Sequence, residues 1–210
     1  NSRLAVMQNL ADVLSAAEQD FEAGRWYLTA ADGHPKGGEL ARQALYEAVV
    51  HFQAALDADA AQRRRVERVV ARASLRRAGG RLLAEGKLSA DQQRKVKFAI
   101  ARSWYDEGRL REAADRLEAV AFEAAGTPEG DAAADLLLDA YNTRNDCLGL
   151  INAGRRLAEA DSPVSAPVKA RIGPIIQAAE QRQLDELSLA AAGEEGGDPQ
   201  AELALLGRLD

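Results

Sequence analysis

The sequence contains one cysteine, Cys147, and two histidines, His34 and His51, among 210 residues. A single cysteine excludes an internal disulfide framework and any metal site built from several cysteines. Aromatic residues make up only 5% of the chain, whereas sandwiches and barrels draw heavily on aromatic and β-branched residues. No apolar run approaches the roughly 20 residues that a membrane-spanning helix needs, so no membrane span is expected.

The residues that are abundant are alanine, leucine, arginine and glutamate, which favour helices. A hydrophobic content of 47% is enough for one core or one elongated array rather than several independent domains. The net charge of −6 and the pI near 5.1 argue against general attraction to nucleic acid or anionic lipid. The sequence therefore predicts an all-α protein.

Turn and capping signals divide the chain into helices. The stretch DGHPKGG, residues 32–38, interrupts the helical spacing of apolar residues with three glycines and a proline. Ser89 and Gln92 have the form of a capping box, which predicts the start of a helix. Thr127 and Pro128 suit the N-cap and first position of another helix. The result is a predicted series of antiparallel helix pairs with short connections.

One helix pair carries the clearest repeat signal in the sequence. Small residues allow two helices to approach closely and an aromatic residue fills the angle between them. The residues at these places are Ile100, Ala101, Trp104, Gly108, Ala113 and Leu117. This pattern resembles the tetratricopeptide repeat. Trp104 and its neighbour Tyr105 are therefore predicted to be packing residues rather than catalytic ones.

Two further units resemble the same repeat less closely. Leu137 and Tyr141 follow about one family period after the first unit, with a large residue where a small one is usual. An earlier unit is split: Gly24 and Tyr27 match a first helix, and a second helix follows after an inserted loop. The matching residues of that second helix are Ala48 and Phe52.

The resemblance implies an α-solenoid of antiparallel helix hairpins that forms a right-handed superhelix. We expect one solenoid over residues 1–210. Its parts are a split repeat over 1–60 with an inserted loop at 32–46, an arginine-rich helix over 60–88, the clearest repeat over 89–125, a degenerate repeat over 127–160 and further helices over 161–210. The chain lacks an initiator methionine, and a last helix is predicted to start near Asp198 and Pro199 and to be cut short, so we expect a fragment or a processed form.

None of the candidate catalytic motifs meets the requirements of its chemistry. GHPKGG lacks the Ser or Thr that must follow the lysine of a phosphate-binding loop, and no strand precedes it. His34 and His51 alone do not complete a zinc site. Cys147 has no histidine close in sequence that could activate it as a nucleophile. We therefore predict no catalytic, cofactor or metal residues, and no enzyme.

Two charged surfaces are candidate binding sites. Arg65, Arg68, Arg72 and Arg76 recur at spacings of three and four and share one helix face. They either bind an acidic partner or nucleic acid, or form a solvated face neutralised by neighbouring carboxylates. The absence of interleaved aromatic residues argues against nucleic acid.

An acidic surface follows on the next helix pair. Its members are Glu129, Asp131, Asp135, Asp139 and Asp146. They do not have the spacing of a calcium loop. Two interpretations remain: the carboxylates assist helix stacking, or they select a charged peptide in the groove.

The resemblance implies a non-enzymatic scaffold that binds a partner protein or peptide through a groove. The degenerate repeats also look like the long tetratricopeptide arrays of gliding-motility and envelope machineries in myxobacteria-like organisms, in the bacterial cytoplasm or periplasm. The alternative is a regulatory or sensor module of a larger signalling kinase or protease. The partner and the oligomeric state stay open, since solenoids without a capping helix often stack end to end.

Overall fold

The computed structural model of the chain describes residues 2–35, 38–58, 65–124, 126–159, 162 and 164–193. Within these ranges the chain forms nine α-helices and no strand, which confirms the all-α prediction. The helices are α1 (Ser2–Ala16), α2 (Asp20–Gly33), α3 (Glu39–Asp57), α4 (Arg65–Glu85), α5 (Ala90–Tyr105), α6 (Leu110–Glu123), α7 (Pro128–Thr143), α8 (Cys147–Ala158) and α9 (Ala166–Gly193). None of these helices combines the length and apolarity required to cross a bilayer.

The predicted capping signals are confirmed at two helix starts. Ser89 Oγ accepts a hydrogen bond from the Gln92 N–H at 3.2 Å, and the Gln92 side chain accepts one from the Ser89 N–H at 3.1 Å. Thr127 Oγ1 accepts a hydrogen bond from the Gly130 N–H at 3.3 Å, with Pro128 as the first helical residue. These caps satisfy N–H groups that have no partner inside the helix, and they fix where α5 and α7 begin.

The segment predicted as an inserted loop, 32–46, is mostly helical. Helix α2 continues to Gly33 and α3 begins at Glu39. The reason is that Ala41, Ala44 and Leu45 are buried at helical spacing, so this segment belongs to the apolar face of α3. Lys36 and Gly37 lie outside the described residues, as do residues 59–64 at the predicted start of the arginine-rich helix and the predicted last helix after Asp198.

The helices pack in the order in which they occur in the chain. Each helix packs against the next one, and smaller contacts between non-consecutive helices join α2 to α4, α3 to α5, α5 to α7 and α7 to α9. Within the described ranges, neighbours and next-but-one neighbours account for nearly all contact between helices. Helix hairpins stacked in a row produce this pattern of local contacts. Helices α3, α5, α7 and α9 consequently form one line of neighbours.

Two large groups of buried side chains form the core and meet at α5. The first lies among α1 to α5 and includes Leu45, Phe52 and Leu75, which are fully buried. The second lies among α5 to α9 and includes Leu117 and Leu137, also fully buried. Helix α5 contributes to both groups and therefore joins the two halves of the described chain.

The residues predicted to pack within the repeats lie on the contacting faces of their helices, with one exception. A Cβ atom on Gly24 would lie 3.0 Å from two ring atoms of Phe52, so the absence of a side chain lets α2 and α3 approach closely. Tyr27, Ala48, Ala101, Ala113, Leu117 and Leu137 are buried, and Ile100, Trp104 and Tyr141 are half-buried against the core. Gly108 is exposed with a φ of 80° and open space around it, so its function is to form the turn after α5 rather than to pack.

Candidate functional site

An apolar surface depression lies between α3, α5 and the start of α7. Its volume is about 340 Å³. We call it the α3–α5 groove and define it by its apolar lining, which consists of Tyr46, Val49, Val50, Val96, Phe98 and Ala99. Val50 stays 42% exposed at the edge of this groove. Ligand-binding sites are commonly depressions lined mainly by apolar side chains.

The position of the groove follows from how the helices pair. Helix α3 packs mainly against α2 and α4, and α5 packs mainly against α4 and α6, so α3 and α5 meet only lightly. On α3 the lining runs from Tyr46 to Gln53, and on α5 from Lys95 to Arg102. Each stretch spans about two helical turns, or roughly 10 Å. The groove is therefore a short cleft between two helices, with Pro128 and Glu129 of α7 beside it.

The charged residues that line the groove are each paired with an opposite charge of the same chain. Lys95 Nζ lies 2.8 Å from Asp91 Oδ2, and this carboxylate raises the pKa of Lys95. Arg102 Nη2 lies 2.8 Å from Asp57 Oδ1. Glu129 Oε2 lies 3.5 Å from Arg94 Nε. The charges around the groove are thus largely compensated before any ligand binds.

Hydrogen bonds and ion pairs connect the helices in the line that contains the groove. The Arg102–Asp57 pair joins α5 to α3. The Tyr105 hydroxyl donates to Asp139 of α7, and this hydrogen bond, with a smaller contribution from burial, raises the pKa of Tyr105 to about 12. Arg171 of α9 pairs with Asp135 of α7 at 2.8 Å. These contacts hold neighbouring helices of the line together.

A second depression of about 360 Å³ lies between α7 and α9. Leu138, Ile175 and Ala178 supply its apolar part, whereas Asp135, Asp139 and Arg182 give it a more polar lining. Because Asp135 and Asp139 are engaged by Arg171 and Tyr105, this depression is bordered by contacts between helices.

Each member of the predicted acidic surface has a partner within the chain. Asp135 and Asp139 contact Arg171 and Tyr105, as described above. The remaining partners are Arg94 for Glu129, the Ser165 N–H for Asp131 at 3.2 Å and the Gly149 N–H for Asp146 at 2.9 Å. The structure therefore places these carboxylates at helix contacts and at a helix cap rather than in one cluster.

The predicted arginine stripe lies on α4 and faces the end of α5. Arg76 Nη1 lies 2.8 Å from Glu107 Oε2, and its guanidinium carbon lies 4.1 Å from the centre of the Trp104 ring. Burial raises the pKa of Asp106, while Arg102, Arg72 and Arg68 oppose this shift. Nothing is described for the side chain of Arg65, the first residue of α4. The three described arginines of the stripe thus lie close to carboxylates of their own chain.

Two more arginines surround Trp104. The guanidinium carbons of Arg109 and Arg116 lie 4.2 Å and 5.3 Å from the centre of its indole ring. The ring also packs against the second core group. Arginine over an aromatic face is attracted by the ring quadrupole, so Trp104 contributes both apolar and electrostatic contacts at the turn between α5 and α6.

A polar network that the sequence did not reveal joins α1, α2 and α3. His51 Nδ1 lies 2.9 Å from Asp20 Oδ1, and its imidazole stacks on the Tyr27 ring with 5.3 Å between ring centres. The Tyr27 hydroxyl donates to Asp12 Oδ1 at 2.5 Å, and burial together with this carboxylate raises the pKa of Tyr27. The network therefore secures α1 to the α2–α3 pair.

The other residues considered for chemistry do not form a metal centre. Cys147 is buried as the first residue of α8, and His34 lies in the turn after α2. Across the described ranges, no group of three or more His, Cys, Asp or Glu side chains is arranged to hold a metal ion.

The α3–α5 groove was missed in the sequence because its lining residues come from separate helices. The sequence does hold a partial signal of this groove. Val50 and Leu40 are apolar residues of α3 that remain exposed, in addition to the buried apolar residues on the core-facing side of the same helix. An apolar residue in excess of the core stripe indicates a second contact surface, although it does not show which helix lies beside it.

No family model matches the chain, and no curated protein matches it, so these comparisons assign it to no family.

Proposed function

We propose that this chain is a tetratricopeptide-like helical scaffold that binds a partner protein through the α3–α5 groove. The observation that carries the proposal is the groove itself, an apolar cleft of about 340 Å³ whose edge residue Val50 remains 42% exposed. Open apolar depressions of this kind mark binding sites for proteins or small ligands. A ligand that removes this apolar lining from water gains free energy from its burial.

The packing of the helices supports a repeat scaffold. Gly24 lies against Phe52 in the α2–α3 pair, and its lack of a side chain lets the two helices approach closely, which fits the role of small residues in such repeats. The extensive contacts link helices close in chain order. Both features fit an α-solenoid, which presents long surfaces to partners rather than a closed active site.

The chemistry of the groove supports binding rather than catalysis. Its described lining holds no histidine, cysteine or serine, and its three charged residues are paired within the chain. General acid–base catalysis needs a titratable group that can reach a substrate proton. We therefore propose a non-enzymatic role.

Photo-crosslinking in cells that express the chain tests this proposal. A photoreactive amino acid at Val50 should crosslink to a discrete protein, because Val50 lies at the edge of the groove. The same amino acid at Val69 is the matched control, since Val69 is an exposed valine of α4 with 49% exposure and does not line the groove. Identical crosslinks from both positions, or none from Val50, would contradict the proposed function.

A further inference from the structure

We propose that the α3–α5 groove binds an amphipathic helix of the partner, which inserts two apolar side chains and is recognised with little dependence on charge. This inference rests on the proposed function and specifies the chemistry of the occupant. Three properties of the groove lead to it: the length of its apolar lining, its position between two helices and the pairing of its charges.

The length of the lining suits two side chains of a helix. On α3 the lining residues Tyr46, Val49, Val50 and Gln53 cover about two helical turns, and the opposing stretch of α5 is equally long. Side chains at positions i and i+4 of a ligand helix project from the same face about one turn apart. Two such anchors would occupy the cleft from end to end.

The surroundings favour a helical ligand over an extended one. Extended peptides bind by adding a strand to an open sheet edge or by docking in a groove lined with aromatic rings. The described part of the chain contains no strand, and the apolar lining of the groove is mostly aliphatic, with Tyr46 and Phe98 as its aromatic residues. Two neighbouring helices instead offer ridges and grooves of side chains, into which a third helix can pack. A helix in the α3–α5 groove would continue the packing that already relates consecutive helices.

The charges of the groove favour an apolar ligand over an acidic one. Lys95 and Arg102 are the lining cations, and Asp91 and Asp57 already neutralise them at 2.8 Å each. Glu129 is paired with Arg94. An acidic ligand would have to compete with these carboxylates, whereas apolar anchors gain from burial against Val50, Phe98 and Ala99 without disturbing them.

Selection from a displayed library of helical peptides tests the inference, with the chain as the immobilised target. We expect the selected peptides to share apolar residues at spacings of three or four. Their Kd should change by less than about threefold between roughly 0.05 M and 0.5 M salt, because screening acts mainly on exposed charges.

Matched valine substitutions show whether the peptides occupy the groove. Val50→Glu places a charge against the apolar lining and should weaken binding by at least about tenfold. Val69→Glu introduces the same charge on α4, at a similarly exposed valine, and should leave the Kd unchanged. Both residues are exposed, so both variants should fold.

The possible failures separate the inference from the proposed function. Acidic peptides that lose affinity as salt rises, yet remain sensitive to Val50→Glu, would overturn the inference and leave groove binding intact. Selected peptides that bind the Val50→Glu variant as tightly as the parent would show that they do not occupy the groove, which overturns the inference, whereas the proposed function fails only if Val50 forms no crosslink or the same crosslinks as Val69. A failure to enrich any helical peptide would overturn the inference alone, because crosslinking at Val50 reports a partner of any shape.

Discussion

The guanidinium carbon of Arg76 lies 4.1 Å from the centre of the Trp104 ring, and the same guanidinium lies 2.8 Å from Glu107 Oε2. These two contacts connect α4 to the end of α5. Arg76 also points its Nη1 toward the Ser103 carbonyl oxygen at 3.4 Å. An arginine that forms part of a basic stripe in the sequence thus holds two helices together in the structure.

Replacement of Arg76 by alanine should lower the free energy of unfolding by about 2 kcal/mol, because a half-buried cation–π contact and its ion pair are lost together. Urea denaturation of the purified chain measures this change. Arg77→Ala is the control, since the Arg77 side chain is 60% exposed in its pair with Asp32 and exposed pairs contribute at most about 1 kcal/mol. Equal losses at the two positions would show that the Trp104 contact contributes nothing.

Gly24→Ala should destabilise the chain by about 1 kcal/mol, because the new Cβ atom would lie 3.0 Å from the ring of the fully buried Phe52. Gly80→Ala is the matched control, since Gly80 is a helical glycine with no atom within 4 Å of a new Cβ. It should stabilise α4 by about 1 kcal/mol through helix propensity. Thermal unfolding compares the two variants, and a stabilising Gly24→Ala would mean that α2 and α3 are not closely packed there.

Tyr105→Phe should cost about 1 kcal/mol near neutral pH, because Asp139 loses its hydrogen bond from the phenol. In the folded protein the pKa of the Tyr105 phenol is raised to about 12 from its ordinary value of 10.0. The stability contributed by the hydroxyl is therefore fully present below pH 10 and declines as the pH rises toward 12. Urea denaturation at pH 8 and at pH 10.5 should show a smaller loss at the higher pH.

Tyr141→Phe provides the control for this experiment. The Tyr141 ring is half-buried on α7, and its hydroxyl has no hydrogen-bond partner among the described residues. Loss of its hydroxyl should change stability by less than about 0.5 kcal/mol at pH 8. The contact between α5 and α7 would be unimportant if both phenylalanine variants behaved like the parent.

Asp106→Asn should change the pH dependence of stability. Burial raises the pKa of Asp106 above its ordinary value of 3.8, so the folded chain binds more protons than the unfolded chain just above that pH. Deprotonation of this carboxyl therefore lowers the parent's free energy of unfolding as the pH rises above 3.8, and the asparagine variant does not lose this stability. Relative to the parent, the variant should be more stable at pH 7 than at pH 3, by about 0.5 kcal/mol.

Chemical denaturation at pH 3 and pH 7 compares Asp106→Asn with Asp115→Asn, in which an exposed aspartate of α6 is replaced. The Asp115 variant removes a carboxylate from an exposed position of α6 and is the comparison at both pH values. A gain at pH 3 larger than the gain at pH 7 for Asp106→Asn would show that the arginines of α4 and α5, rather than burial, dominate the environment of this carboxyl.

The features that were predictable from the sequence depend on residues close together in the chain. The capping box of Ser89 and Gln92 and the cap of Thr127 were predicted because each involves residues only three positions apart. The repeat pattern placed Gly24 and Phe52 at packing positions of two successive helices, whereas their contact with each other appears only in the structure. Local spacing therefore determined where helices begin and which residues face a neighbouring helix.

The features that were not predictable depend on distances between separate helices. The α3–α5 groove exists because α3 and α5 meet only lightly, and no local pattern encodes that separation. Arg76 illustrates the same limit, since its spacing shows that it shares a face with other arginines but not that Glu107 and Trp104 lie opposite. The loop predicted at 32–46 is shorter in the structure, because Ala41, Ala44 and Leu45 belong to the buried face of α3.

The most direct test of the account asks whether the partner in cells and the helical peptide use the same surface. The photoreactive amino acid at Val50 would be activated in extracts of expressing cells, with and without a saturating amount of the selected helical peptide. The account predicts that the peptide abolishes the crosslinked product. A crosslinked product of unchanged yield at saturating peptide would contradict the claim that the α3–α5 groove holds the partner.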